Sequence, residues 1–349
     1  MVKVAVAGGA GSMQIICLTQ FLDPVTTTNP FQAQFAHTAV LDVATEILRA
    51  PIASGKHSIT IFTRGSPPAT SPSPNVSYKQ VDYRDLDSLT EALKGHDVCL
   101  SFLLVSLDTN STAQKNLIHA CISAKVRRFS PSEWGVKNGS GMPPYANKEL
   151  IASYLATLPE TSGPAPTLEY CLFQPSIFMD YFGHPYPLSP GLPTWSFFID
   201  LAARRAVILD HGDHPIVLTA VNDVSQILCL ALSSTEPWPR VGGMRGALTT
   251  QNAILALGKK LRGGEWTVEY VRGEDIEKGV LTSEWVPRMT HHAIPEEKRD
   301  GFSRDFMVMM MQGVLRGSWE VGTEWNERFK EYEFMGLEEY LGKAFEGKP

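Results

Sequence analysis

The sequence predicts a doubly wound α/β fold, a parallel sheet with helices on both faces, followed by a smaller C-terminal lobe. Three observations carry this expectation. An apolar segment, residues 2–7, runs straight into the glycine turn Gly8-Gly9-Ala10-Gly11. Further apolar segments recur through the first half, separated by stretches of helical pattern. One of them, residues 97–104, is apolar almost throughout, as a central parallel strand covered on both faces must be. Strands separated by helices imply a parallel sheet joined by right-handed crossovers.

The elements follow in order. Residues 2–7 form the first strand, and a helix is expected near residues 41–49. Residues 58–64 read as the second strand, followed by a Pro/Ser-rich loop over 65–74, and residues 76–82 as the third. A helix then opens at Asp87, with Ser88 and Glu91 spaced as a capping box and Gly95 as its stop. After the strand at 97–104 come a helix over 111–123 and strands at 128–130 and 170–173. In the second half, residues 185–193 form a Pro/Gly/Tyr-rich loop, and residues 206–219 read as a β-hairpin around His211-Gly212-Asp213. Asn222 starts a helix that runs to Leu232, and the last forty residues read as helical and aromatic-rich. Residues 1–180 are thus expected to form a nucleotide-binding domain. Residues 181–349 mainly form a substrate-binding lobe, with some elements returning to the sheet.

Composition narrows the function classes. The chain has 349 residues, 43% hydrophobic and 19% charged, enough for a full core. The net charge is −6 and no Lys/Arg run forms a nucleic-acid footprint, so the expected partner is a small molecule. Five scattered cysteines, Cys17, Cys99, Cys121, Cys171 and Cys229, contain no C-x-x-C pair and read as buried free thiols in a reducing compartment. Residues 2–7 are too short for a signal peptide or a membrane span, which makes the cytoplasm the expected location.

The glycine turn bears most directly on chemistry. A strand that ends in glycines and opens a helix can cradle a pyrophosphate: the backbone approaches closely and free N–H groups face the phosphates. An ordinary tight turn is the alternative, because Gln14 stands where a third glycine of the pattern would fall. Arg64, at the end of the second strand, stands where an acidic residue would accept the ribose hydroxyl of NAD. Its guanidinium can instead clamp a 2′-phosphate, which favours NADP(H) over the reading of a solvated arginine. The stretch from Gly11 to Arg64 far exceeds the roughly 20 residues usual for this spacing. Pro24 and Pro30 break any single helix between them. Residues 15–38 are therefore either a genuine insertion beside the cofactor or a translated segment foreign to the working protein.

Residues Arg127 to Gly135, R-R-F-S-P-S-E-W-G, resemble the R-F-x-P-S-E-F-G signature of the isoflavone reductase and NmrA-like family of atypical short-chain dehydrogenases. Tyr145-Ala146-Asn147-Lys148 falls where that family carries an aromatic residue, two variable ones and the catalytic lysine. The glycine turn, Arg64, the strand at 98–103, Gln114 and the Asn222-Asp223-Val224 helix start match in order. The resemblance covers residues 1–12 and 40–340 and is closest to fungal secondary-metabolism reductases, including those reducing cyclic imines toward indolizidine alkaloids such as swainsonine. It implies a Rossmann domain and an NADP(H)-dependent reductase acting on a C=N, C=C or C=O bond. A non-catalytic NADP-sensing regulator that binds a protein partner is the alternative. The expected cofactor-binding set is Gly8, Gly9, Gly11, Arg64, Ser101, Phe102, Lys148 and Gln174.

Pro143-Pro144 pre-sets a helix start, and Tyr145 and Lys148, three apart, share one face of it. Ile151, Leu155 and Leu158 supply the buried stripe, so the lysine can point at a cofactor and assist protonation. Without the resemblance, a surface lysine would be the default reading. Tyr145 is either a general acid or a packing residue, since ordinary members place the catalytic tyrosine four residues before the lysine, here Pro144. Ser132 and Glu133 either face the ligand or cap neighbouring helices, and Gln174-Pro175-Ser176 either meets the nicotinamide carboxamide or does the same. The expectation includes no metal: His211-Gly212-Asp213-His214 reads as a polar hairpin tip, and His291 and His292 as pointing apart. Met307 to Met311 read as a buried helix or a pocket wall, and Tyr181, Phe182 and Trp195 as pocket lining or core.

Overall fold

The computed structural model describes residues 1–8, 41–105, 108–158, 168–291 and 294–349. Gly9, Gly11, Gln14, Cys17, the 15–38 stretch and His292 lie outside the described residues.

Six strands form one parallel sheet in the order β3-β2-β1-β4-β5-β6: Val2–Ala7 (β1), His57–Thr63 (β2), Val76–Gln80 (β3), Val98–Ser101 (β4), Arg128–Ser130 (β5) and Glu169–Tyr170 (β6). The doubly wound expectation is met. The order reverses between β1 and β4, so the crevice outside their C-terminal ends is the topological switch point where such sheets hold ligands. Successive side chains of a strand point to opposite faces. Val4 and Val6 accordingly pack with Ile59, Leu100 and Ile47 in one core, while Ala5 and Ala7 join Cys99, Leu117, Ile118 and Phe129 in the other. The apolar run expected through residue 104 stops as a strand at Ser101.

The helix Leu86–Leu93 starts earlier than the capping box places it. Asp85 is its N-cap, and Asp85 Oδ1 accepts Ser88 N–H at 2.9 Å. With the cap taken by this carboxylate, Ser88 lies inside the helix, and Glu91 pairs with Lys94 instead. Gly95, at φ +77°, ends the helix as expected. At the start of β5, Arg128 is completely buried. Its guanidinium donates to Glu169 Oε1 (2.9 Å), to Ser234 O (2.7 Å) and to Glu236 O (2.5 Å), and it stacks over Trp238 at 5.1 Å. The arginine of the signature stretch thus fastens the sheet to the segment after the Val221–Ser233 helix.

The second half adds three small sheets. Leu172–Gln174 (β7) pairs with Val241–Gly243 (β12). Ile177–Phe178 (β8) and Ala247–Thr249 (β13) flank Ile216–Thr219 (β11), and Ile199–Asp200 (β9) and Thr267–Val271 (β14) flank Arg205–Leu209 (β10). Residues 206–219 are therefore not a hairpin. Both edges of β10 and both edges of β11 are already paired with other strands, which leaves none for each other. The Val221–Ser233 helix packs on the Leu41–Ala53 helix, and Ser225 Oγ accepts Ala50 N–H at 2.8 Å. The last forty residues are helical only in part, over the end of the Arg299–Leu315 helix, Glu324–Arg328 and Leu337–Phe345. Cys99, Cys121 and Cys171 are buried free thiols, and Cys229 is half-buried. Among the described residues no helix is long and apolar enough to cross a membrane.

Candidate active site

Gly8 leaves β1 with φ +72°, a left-handed conformation that an L side chain resists. A Cβ there would lie 2.8 Å from Leu103 N and 2.9 Å from Phe102 C. Phe102 N donates to Ala7 O at 2.7 Å and draws the end of β4 against the turn, so only glycine fits. Gly8 N donates to Tyr83 Oη at 2.9 Å, and the hydroxyl lies 3.4 Å from Phe62 O. Burial raises the Tyr83 phenol well above its ordinary pKa and keeps it neutral. Sequence reasoning missed Tyr83, because nothing local to it points toward a turn 75 positions away.

Ser101 is buried, and its Oγ accepts Leu103 N–H at 3.3 Å. The Phe102 ring is also buried and stacks on Trp134 at 4.6 Å, so its ring belongs to the core. Arg64 is exposed at the tip of β2, held by Gln80 Nε2 donating to its carbonyl at 3.1 Å. At the start of the Thr112–Ser123 helix, Asp108 accepts the N–H groups of Ala113 (2.8 Å) and Gln114 (2.9 Å). That helix end is thus already satisfied. Gln114 Oε1, Ser132 Oγ and Glu133 Oε1 are buried without a hydrogen-bond partner among the described residues. Orphaned buried polar atoms are costly unless something binds them. Gln114 opens the helix that follows β4, and Ser132 follows β5, on the crevice side where a dinucleotide would offer such groups. The described part of the site fits that ligand.

A single 3₁₀ turn, Pro143–Tyr145, leads into the helix Ala146–Ala156. Ile151 and Leu155 are buried beneath it and Leu158 is packed against the same core, the expected stripe. Lys148 is only 2% exposed, which overturns the reading of a surface lysine. Its Nζ donates to the main-chain oxygen of Glu133 and sits 4.7 Å from the centre of the Tyr145 ring. Both residues line a narrow cleft of about 30 Å³ together with Trp134, Gly135, Trp195, Phe306, Met310 and Trp319. An ammonium among apolar walls exerts a stronger field than it would in water. Trp134 joins the cleft to the sheet, because its Nε1 donates to Ser101 O at 2.8 Å.

Met310 lines this cleft, whereas Met307, Met309 and Met311 are buried within the same helix, so both readings of the methionine run hold for different residues. Trp195 is a wall, but Tyr181 and Phe182 are not among the lining residues: Tyr181 stacks on Phe197 at 4.5 Å, and Phe182 meets the same ring edge-on. Gln174 is buried and its Nε2 donates to Asn138 Oδ1, while Asn138 Nδ2 donates to Glu133 Oε2 at 3.3 Å. Burial pushes the Glu133 carboxyl up to about 7, against the opposing pull of Lys148 and the Asn138 hydrogen bond. Ser176, at φ +62°, donates through Oγ to Trp319 O at 2.9 Å and so fixes the far wall. The structure therefore groups Lys148, Tyr145, Glu133 and Gln174 around one end of the crevice, and Gly8, Ser101 and Phe102 at the switch point. Arg64 stands apart at the β2 tip. Asn138, Phe306 and Trp319 were not foreseen. Among the described residues no three His, Cys, Asp or Glu side chains gather as a metal site, and the 211–214 segment is a turn pinned by Asn252.

A model of the NmrA-like family matches residues 42–341. Oxidoreductase BOA1 of Botryotinia fuckeliana is 25% identical over 278 residues, 76% of this chain and 78% of that protein. Among solved structures, isoflavone reductase aligns at a TM-score of 0.61 with 17% identity, over 98% of each chain. AtPrR2 with NADP+ and (+)pinoresinol aligns at 0.60 with 18% identity, again over 98% of each.

Proposed function

The chain belongs to the NmrA-like family, and from that premise we propose that it is an NADPH-dependent reductase of a small metabolite. BOA1, named an oxidoreductase, and AtPrR2, solved with NADP+, support the class of reaction and the cofactor. The observation that carries the reading is Lys148: a lysine buried to 2% exposure yet lining an aromatic cleft beside the switch point of the sheet. Burying a cation is costly, and a purely structural lysine would gain nothing from facing a cavity.

When bound, the dinucleotide supplies a hydride for an electrophilic carbon of a C=N, C=C or C=O bond. Gly8 would let the backbone approach the phosphates, and Arg64, exposed at the β2 tip, would meet a 2′-phosphate. The main-chain oxygen of Glu133 and the Tyr145 ring hold the Lys148 ammonium in place. From there Lys148 can hold a ribose hydroxyl and stabilise negative charge that develops on the substrate as it is reduced, directly or through a water. Tyr145 serves this arrangement by packing: its ring face meets the ammonium. The Trp134, Trp195 and Phe306 walls exclude water and favour an apolar substrate. A setting in secondary metabolism, with cyclic imines among the substrates, follows from the likeness of the signature stretch.

The test is NADPH oxidation against a panel of cyclic imines, enones and ketones. Turnover by the wild type that falls at least about 100-fold in Lys148→Ala, with NADPH still bound, is expected for a positioned proton donor. Tight NADPH binding with no turnover of any substrate class would favour the non-catalytic sensor and overturn the reading.

A further inference from the structure

Tyr83 lies in the turn between β3 and the Leu86–Leu93 helix, outside the cleft. Its ring is buried with Ala5, Ala7, Phe62, Leu89 and Cys99 in one of the two cores. Packing alone would be served by phenylalanine, because a buried hydroxyl must recover the hydrogen bonds it gave up to water. Tyr83 recovers them between two strands. Ala7, the last residue of β1, stands opposite Phe62 of β2. Where that ladder ends, the hydroxyl accepts Gly8 N–H at 2.9 Å and donates to Phe62 O at 3.4 Å. A neutral phenol can do both at once. The turn that carries the ring is itself fixed. Asp82 accepts Asp85 N–H through its main-chain oxygen (3.1 Å) and Arg84 N–H through Oδ1 (2.9 Å). From the Thr112–Ser123 helix, Asn116 Nδ2 donates to Tyr83 O at 3.0 Å. Thr63 O accepts Val81 N–H at 2.9 Å, and Gln80 Nε2 reaches Arg64 O, so the β2 tip is tied to the same segment.

We propose that Tyr83 is a positioning residue for the dinucleotide: its hydroxyl fixes the spacing between the glycine turn and the Arg64 strand tip, so that a ligand carrying both a pyrophosphate and a 2′-phosphate meets the two at once. This rests on the NADPH reading given above. One end of the bridge is Gly8, which opens the turn, and the other is Phe62, separated from Arg64 only by Thr63. Fixing two contact points before the ligand arrives removes an ordering cost from binding. A dinucleotide without the 2′-phosphate has no phosphate for Arg64 and gains less from the fixed spacing. The bridge therefore serves the choice of NADPH over NADH as well as affinity.

The experiment is an equilibrium titration of the full chain with NADPH and with NADH, in the wild type, Tyr83→Phe, Arg64→Ala and the double variant, with a urea midpoint for each. Tyr83→Phe removes one oxygen and keeps the ring. The NADPH dissociation constant is expected to rise about three- to tenfold, the net value of one hydrogen bond, and that for NADH to rise less, so that the preference for NADPH falls. With Arg64→Ala already in place, Tyr83→Phe is expected to weaken the two dinucleotides alike. Asp85→Ala, at the exposed helix end two residues on, controls for lost stability alone and is expected to leave the preference unchanged. Asn116→Ala frees the same turn from its other side and is expected to lower the preference too; it decides the question if Tyr83→Phe does not fold. An unchanged preference in a folded Tyr83→Phe would overturn this inference and leave the NADPH reading standing. Equal weakening of both dinucleotides with a lowered urea midpoint, the mark of a merely structural tyrosine, would do the same. A folded wild type that binds neither dinucleotide would overturn both.

Discussion

Replacing Gly8 by alanine separates two costs that the structure places at one position. The first is conformational: a non-glycine residue at φ +72° sits in the left-handed region, at about 1–2 kcal/mol. The second is steric. The new Cβ would meet three main-chain atoms, Leu103 N at 2.8 Å and Leu103 Cα and Phe102 C at 2.9 Å, and none of them can rotate aside. Overpacking that forces a backbone shift costs about 1–3 kcal/mol, so Gly8→Ala is expected to lose about 2–5 kcal/mol in all. Gly95 is the internal control, with φ +77° and no atom within 4 Å of its would-be Cβ. Gly95→Ala is expected to lose only the conformational part, about 1–2 kcal/mol. Urea unfolding followed by tryptophan fluorescence measures both, with the slope checked to be unchanged. Equal losses in the two variants would refute the claim that the end of β4 closes on the turn, and no loss at Gly8 would refute its geometry altogether.

Glu133→Gln removes a group whose folded pKa of about 7 lies above its ordinary value of 4.5. The folded state therefore binds the proton more tightly: the stabilisation is fully present below pH 4.5 and lost as pH rises through about 7. Wild-type stability relative to the glutamine variant should fall by roughly 3 kcal/mol across that window, measured by urea midpoints at several pH values. Arg128→Met leaves the Glu169 carboxylate without its buried cation and the Ser234 and Glu236 carbonyls without that donor, and a loss of about 1–3 kcal/mol is expected in the same assay. Asp85→Ala removes one N-cap bond on an exposed helix end and should cost about 1 kcal/mol, with cofactor binding unchanged in a titration.

Much of the fold was legible because the parallel sheet announces itself locally. β1 and β5 fall where the apolar runs place them, and Val4, Val6, Ala5 and Ala7 alternate between two buried faces as a covered strand must. The helix over 112–123 likewise follows its pattern. What was misread depends on partners distant in sequence. β10 and β11 have the look of a hairpin, but β10 takes β14 and β9, and β11 takes β13 and β8, none of which a local pattern reveals. The Ser88/Glu91 spacing matched a capping box, yet Asp85 competed for the same N–H. At the site, Lys148 and Tyr145 could be read from their spacing and the signature stretch. Of the walls, Trp195 was open to such a reading but Phe306 and Trp319 were not: they reach the cleft from segments far along the chain, and Asn138 joins Gln174 to Glu133 through contacts that exist only in three dimensions.

The central claim is that this fold binds NADPH and uses it. The most direct measurement is the dissociation constants for NADPH and NADH, followed by nicotinamide fluorescence, in the wild type and in Arg64→Glu. The account predicts saturable binding with NADPH preferred by about tenfold or more, as one charge-assisted contact to the 2′-phosphate provides, and loss of that preference in the variant. A folded wild type that binds neither dinucleotide would contradict it.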